Sequence, residues 1–218
     1  MLPVVGIVLA CAALSALLPI FTAMSGIRFP RRLVVGTFVF ALTALLYGEF
    51  ADGYEALPWW DMLLHVVSAA VLSVAGMGLA LLPTAGGRAR TSIWLLAVLG
   101  FGFSMMVGTM WEIMEFTLDQ VFGYNTQASG LMDTMTDTIA NLVGAVLGAV
   151  AAHQAVTFGR RIPPAGVLLD FVEKNPVIYG AWRGPSGGLR GEARGGEAGA
   201  DRPLERRGQP GPDMVPGE

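Results

Sequence analysis

The sequence predicts an all-α, polytopic membrane helix bundle of about five transmembrane helices, with the N-terminus outside and the C-terminus cytoplasmic. Three observations predict it. Hydrophobic residues make up 53% and charged residues only 14% of the 218 residues, against about a quarter charged in soluble domains. The apolar residues gather into runs close to the ~20 residues that cross a bilayer. All 14 Lys and Arg fall after the first, third and fifth of these runs, so the positive-inside rule sets the orientation.

The first run, Pro3 to Met24, has no Lys or Arg before Arg28. A secretory signal peptide would open on a basic stretch, so the run reads as a retained helix. Arg28, Arg31 and Arg32 follow it. The second run, Leu33 to Phe50, leads into an acidic loop with Asp52 and Glu55, and Trp59 and Trp60 then form an interfacial anchor. The third, Asp61 to Leu82, is followed by Arg88 and Arg90. The fourth, Ile93 to Asp119, exceeds a bare span, so its Glu-bearing end should emerge at the interface. The fifth, Leu131 to Phe158, ends at Arg160 and Arg161. Residues 1–162 thus form the transmembrane bundle. Residues 163–183 form a short juxtamembrane segment, amphipathic over Val167 to Val172. Residues 184–218, rich in Gly, Arg and Glu with little apolar to bury, form a disordered cytoplasmic tail. The single cysteine, Cys11, lies in an apolar run and predicts neither an intramolecular disulfide nor thiol chemistry.

Chemistry concentrates at one end of the bundle. Glu112, Glu115 and Asp119 recur at helical spacing, as do Asp133, Asp137 and Asn141, and as do Asp61 and His65; each set shares a helix face. In the five-span topology all three sets lie near the outer leaflet, within roughly 10–15 Å of one another in depth. The same faces continue inward as Gly108, as Gly144 and Gly148, and as Ser68, small residues that let membrane helices approach closely. Glu49, Asp52, Glu55 and Asp119 read as plain interfacial charges, and His153 as a locally hydrogen-bonded histidine.

Intramembrane ionisable groups usually mark function. Clustered carboxylates with no Lys or Arg among them share protons or bind a cation. Oxygen-rich sites with one imidazole suit Mg²⁺, Mn²⁺, Ca²⁺ or Zn²⁺, with Asp61, His65, Glu112, Asp133, Asp137 and Asn141 as the candidate ligands of a divalent metal. The paired Glu-x-x-His pattern of di-iron bundles is absent.

At these residues the chain resembles the YjdF-type bacterial inner-membrane proteins, through W-D-M-L-L-H, W-E-I-M-E-F and D-T-M-T-D-T-I-A-N-L-V-G. More distantly it resembles the VanZ-like family, whose pattern is an Asp and His, then E-x-x-Q, then D-x-x-x-N-x-x-G. On that resemblance Asp61 and His65 match the first motif, Glu112 and Glu115 the second, and Asp137, Asn141 and Gly144 the third. Met62 stands where VanZ-like proteins carry Lys, and Glu115 where they carry Gln. The resemblance covers about Tyr47 to Val150 and implies a bacterial inner-membrane location. VanZ-like proteins are linked to glycopeptide resistance.

Two classes of function follow. The first is metal-assisted chemistry on a lipid-linked or cell-envelope substrate at the outer leaflet. His65, Glu112 and Glu115 would then be the catalytic groups and the Gly123–Gly130 loop a lid. The second is a cation or proton transporter, or an ion-binding protein. Neither involves nucleic acid; the other expected partners are membrane lipids.

Overall fold

The computed structural model describes residues 2–44, 57, 59–84, 91–127 and 129–179. Among the described residues the chain is wholly helical: α1 (Leu2–Ser25), α2 (Arg31–Leu42), α3 (Trp60–Leu81), α4 (Ile93–Phe122), α5 (Leu131–Phe158), α6 (Gly166–Lys174) and a short α7 (Pro176–Tyr179). Three of them, α3, α4 and α5, are long and apolar enough to cross a membrane. The second run of the sequence is helical to Leu42, with the next two residues in a π turn; its remainder, Glu49 and the acidic loop with it, lies outside the described residues, as do Arg88, Arg90 and the tail.

Helix ends are set by local chemistry. Ser92 caps α4 by accepting a hydrogen bond from the Trp94 backbone N–H at 3.2 Å. Gly123 and Gly159 close α4 and α5 in the left-handed conformation, at φ 70° and 69°, where a Cβ is disfavoured. Pro30 precedes α2 with extended backbone.

The centre of the molecule is α3, α4 and α5 packed against one another. Close approach, not bulk, holds them. A Cβ added at Gly144 would lie 2.2 Å from the Val66 carbonyl oxygen, and one at Gly148 2.3 Å from that of Ala70. Gly76 and Gly100 bring α3 and α4 together in the same way, and Ser104 Oγ donates to the Ala69 carbonyl at 2.8 Å. In hydrocarbon such contact and inter-helix hydrogen bonding take over from the hydrophobic effect as the cohesive forces. The large apolar side chains of α4 and α5 accordingly point outward, among them Leu99, Met106, Ile113, Ile139 and Leu147.

The amphipathic segment near Val167 is the helix α6. Its apolar residues Leu168, Leu169 and Val172 are buried against the ends of α3 and α5 with Met77, Leu81 and Val156. Its apolar face thus packs on protein. Tyr179 beyond it donates from its hydroxyl to the Gly78 carbonyl at 3.0 Å, and burial pushes its phenol above the ordinary range. Asn175 fastens the α1–α2 connection to the end of α6. Its Oδ1 accepts from the Arg28 backbone N–H at 2.7 Å, and its Nδ2 donates to the Arg28 carbonyl at 2.8 Å. Arg161 pairs with Asp170 and with Glu173. Arg28, Arg32, Arg160 and Arg161 therefore gather at one end of the bundle, opposite the end where α3 and α5 begin.

Candidate functional site

At that opposite end His65 occupies the centre of a polar cluster drawn from three helices. It lies in the second turn of α3, Glu112 ten residues before the end of α4, and Asp137 and Asn141 in the second and third turns of α5. Helical spacing puts each set on an inward face, and the glycine contacts described above hold those faces close. Gly108 adds room at the site itself, since a Cβ there would stand 2.9 Å from Asn141 Nδ2.

The imidazole meets a polar side chain from every helix. His65 Nδ1 is 3.2 Å from Asn141 Oδ1 and 3.9 Å from Glu112 Oε1. His65 Nε2 is 3.8 Å from both Asp61 Oδ1 and Asp137 Oδ2. With its proton on Nδ1, the ring donates to Asn141 and turns the Nε2 lone pair toward two carboxylates. A lone pair facing anionic oxygens is repelled by them, so this tautomer calls for a positive charge between the groups.

The burial of the acids sharpens that demand. Glu112 is 5% and Asp137 2% exposed, and both Glu112 oxygens and Asp137 Oδ2 are buried without a hydrogen-bond partner among the described residues. A buried, unsatisfied carboxylate is costly unless it takes a proton or a cation. The described ion pairs of Lys and Arg all lie at the other end of the molecule.

Asp61, His65 and Asp137 each offer one ligand atom, and these atoms lie within 4.8 Å of one another. That separation is within two ligand bonds of about 2.0–2.6 Å laid end to end. An imidazole fixed at Nδ1 by an acceptor and presenting Nε2 with two carboxylates is the donor set a divalent cation takes. The three residues fit such an ion, with Glu112 beside them on the Nδ1 side.

The other expected site residues stand farther out. Glu115 and Asp133 are half-buried, about one helical turn nearer the helix ends than Glu112 and Asp137. Asp119, expected to be a plain interfacial charge, is instead a loop anchor. Its Oδ1 accepts from the Thr126 N–H at 2.7 Å and hydroxyl at 2.6 Å, and its Oδ2 accepts from the Gln127 N–H at 2.9 Å. Gln127 Nε2 in turn donates to Thr134 Oγ1 at 2.5 Å. The loop expected to act as a lid is thereby strapped to α4 and α5. Ser68, expected on the site face of α3, turns its hydroxyl back to the His65 carbonyl at 3.1 Å and faces α2 instead. The α3 interface with α4 is made by Ala69, Ser73 and Gly76, which continue inward, in steps of three or four, the face that carries Asp61 and His65. His153, far from the cluster, stacks on Trp94 with ring centroids 3.8 Å apart and pairs with Thr157 Oγ1 at 3.4 Å, as a locally bonded histidine.

An uncharacterized protein of Thermotoga maritima is 34% identical over 98 residues, covering 44% of this chain and 49% of the relative. The chain thus spans about half the length of the curated relative it matches. No solved structure matches. The family model described as "Predicted membrane protein (DUF2238)" matches residues 4–157, which take in all but the first two residues of α1, the whole of α2 to α4, all but the last residue of α5 and every residue of the polar cluster. The chain belongs to this DUF2238 family of predicted membrane proteins.

Proposed function

We propose that the protein is a multi-pass protein of a bacterial inner membrane whose acidic end holds a divalent cation and performs metal-assisted chemistry on a lipid-linked or cell-envelope substrate. The observation that carries this reading is the meeting of Asp61, His65 Nε2 and Asp137 within 4.8 Å, beside buried carboxylate oxygens that lack a partner. Asp61, His65 and Asp137 would hold the ion, with Asn141 orienting the imidazole. Such an ion polarises a carbonyl or phosphoryl oxygen and acidifies a bound water. Glu112, beside His65 and otherwise unpartnered, holds or moves the proton. Glu115 and Asp133 at the rim attract the cation and face the substrate. The likeness of the motifs to YjdF-type and VanZ-like proteins is consistent with an envelope role.

The topology that goes with this reading has five spans, the N-terminus outside and the polar cluster at the outer leaflet. The gathering of Arg28, Arg32, Arg160 and Arg161 at the opposite end supports it. Reporter fusions after Tyr124 should signal outside and those after Arg161 inside; an inside signal at Tyr124 would reverse the site to the cytoplasm. Cation transport is the second class. The backbone contacts at Gly144, Gly148 and Gly76 directly below the cluster speak against it, since they close the route along α3.

The test is a titration of chelator-treated, purified protein with Mg²⁺, Mn²⁺, Ca²⁺ and Zn²⁺, followed by thermal unfolding. A cation bound only by the folded state stabilises by about 2.7 kcal/mol at one hundred times its dissociation constant. His65→Ala and Asp137→Ala should each remove that gain. Without metal, Asp137→Ala should be neutral or stabilising, because it relieves crowding among buried acids. A wild-type protein indifferent to all four ions would end the metal reading.

A further inference from the structure

A second feature lies away from the acidic cluster, on the other face of α3. Between α2 and α3 runs a groove of about 630 Å³, floored near the basic end by Leu168, Phe171 and Tyr179. That volume is within the range of sites for small organic ligands, about 300–1,000 Å³. On α2 it is lined by Leu33, Gly36, Thr37 and Phe40, one helical face; on α3 its lining extends from Val67 to Leu79. Those twelve steps correspond to about 18 Å, slightly more than half of the ~30 Å hydrocarbon core of a bilayer.

The groove is apolar for a specific reason. Each hydroxyl in its wall is turned back to a backbone carbonyl: Thr37 to Leu33 at 2.9 Å, Ser68 to His65 at 3.1 Å and Tyr179 to Gly78 at 3.0 Å. None is offered to a ligand. The charged residue of the lining is Arg32, in the first turn of α2, its side chain 78% exposed and only loosely paired with Asp170 at 3.9 Å. Asp170 has a closer partner in Arg161. Arg31, the neighbouring residue, is also exposed. An apolar trough one leaflet long, with a guanidinium at its mouth, matches an acyl chain ending in an anionic headgroup. It does not match a polar solute.

We propose that this groove holds one acyl chain of an anionic phospholipid, with the lipid phosphate at Arg32. Arg fits the task because its planar fork binds phosphate oxygens in pairs. Basic pockets between membrane helices on the cytoplasmic side recognise lipid headgroups in this manner. The proposal makes no use of the acidic cluster and stands or falls separately from it.

Gly36 supplies the decisive variant. It lines the groove, and a Cβ added there meets nothing within 4 Å among the described residues. Gly36→Leu therefore fills the trough without disturbing the bundle. Full-length protein would be purified from mixed phosphatidylglycerol and phosphatidylcholine vesicles, stripped with detergent and examined by native mass spectrometry. The wild type should retain one phosphatidylglycerol per chain. Arg32→Gln should lower the preference for phosphatidylglycerol over phosphatidylcholine by about fivefold, the worth of one Arg near a membrane surface. Gly36→Leu should lose the retained lipid altogether. If Gly36→Leu fails to insert, the Arg32→Gln preference alone decides. Equal retention of both lipids by the wild type would overturn the proposal, as would lipid undiminished by Gly36→Leu. A dimer in place of the lipid-bound monomer would assign the groove to a second copy, and displacement of the lipid by inorganic phosphate alone would reduce it to an anion site.

Discussion

At the basic end of the bundle, charge is either solvated or matched. Arg161 pairs with Asp170 and Glu173, and Asn175 satisfies both backbone groups of Arg28. At the acidic end, three helices bury Glu112 and Asp137 around one imidazole, and three of their four oxygens accept no hydrogen bond among the described residues. The first arrangement is complete as it stands and accounts for how α6 and the α1–α2 connection are fastened. The second is complete only with an added proton or cation. The described carboxylates are paired at one end and lack partners at the other, and the proposed function rests on the latter.

The comparison breaks most visibly if the seam joining the two ends is forced apart. Gly148→Leu drives a side chain into the Ala70 carbonyl, backbone that cannot yield by rotating. It should cost about 3 kcal/mol or more, the upper range of overpacking, and abolish both the metal response and the folded state in thermal unfolding. Gly102→Ala is the control, since a Cβ there meets nothing within 4 Å among the described residues.

A smaller effect separates the ends. Asn175→Ala removes two hydrogen bonds to Arg28 and a third to the Phe171 carbonyl at 2.7 Å. The part-buried backbone groups left behind should cost about 1 kcal/mol. Hydrogen exchange at the Arg28 amide should rise while cation binding at the acidic end is unchanged. A simultaneous loss of cation binding would mean that the ends are coupled.

Arg161→Ala should do least. Its side chain is 46% exposed and Glu173 58%, so screening holds the loss to within about 1 kcal/mol. A larger loss in thermal unfolding would show that the packing of α6 depends on this pair.

How much of this could be read beforehand follows from what sets each feature. The bounds of α3, α4 and α5 were legible to within a few residues, because a membrane span is dictated by the length of its apolar run. Asp61, His65, Glu112, Asp137 and Asn141 were legible as one cluster because spacings of four put polar groups on one face, and apolar surroundings made them conspicuous. Their ranking was not. Glu115 and Asp133 lie on the same faces by spacing, yet stand a turn nearer the helix ends and are less buried. The Asn175 tie to Arg28 had no local signal at all, its partner being 147 residues away in the chain. The packing of α6 on α3 and α5 was not legible, because amphipathicity reveals that one face is apolar but not what covers it.

The central claim, that the acidic end is a cation site built on His65, is tested most directly by Mn²⁺ bound to the purified protein. Pulsed electron paramagnetic resonance should show one Mn²⁺ per chain with hyperfine coupling to a directly bound imidazole nitrogen, and His65→Gln should remove both the coupling and the tight binding. Mn²⁺ that binds equally well to His65→Gln, or that shows no nitrogen coupling in the wild type, would contradict the account.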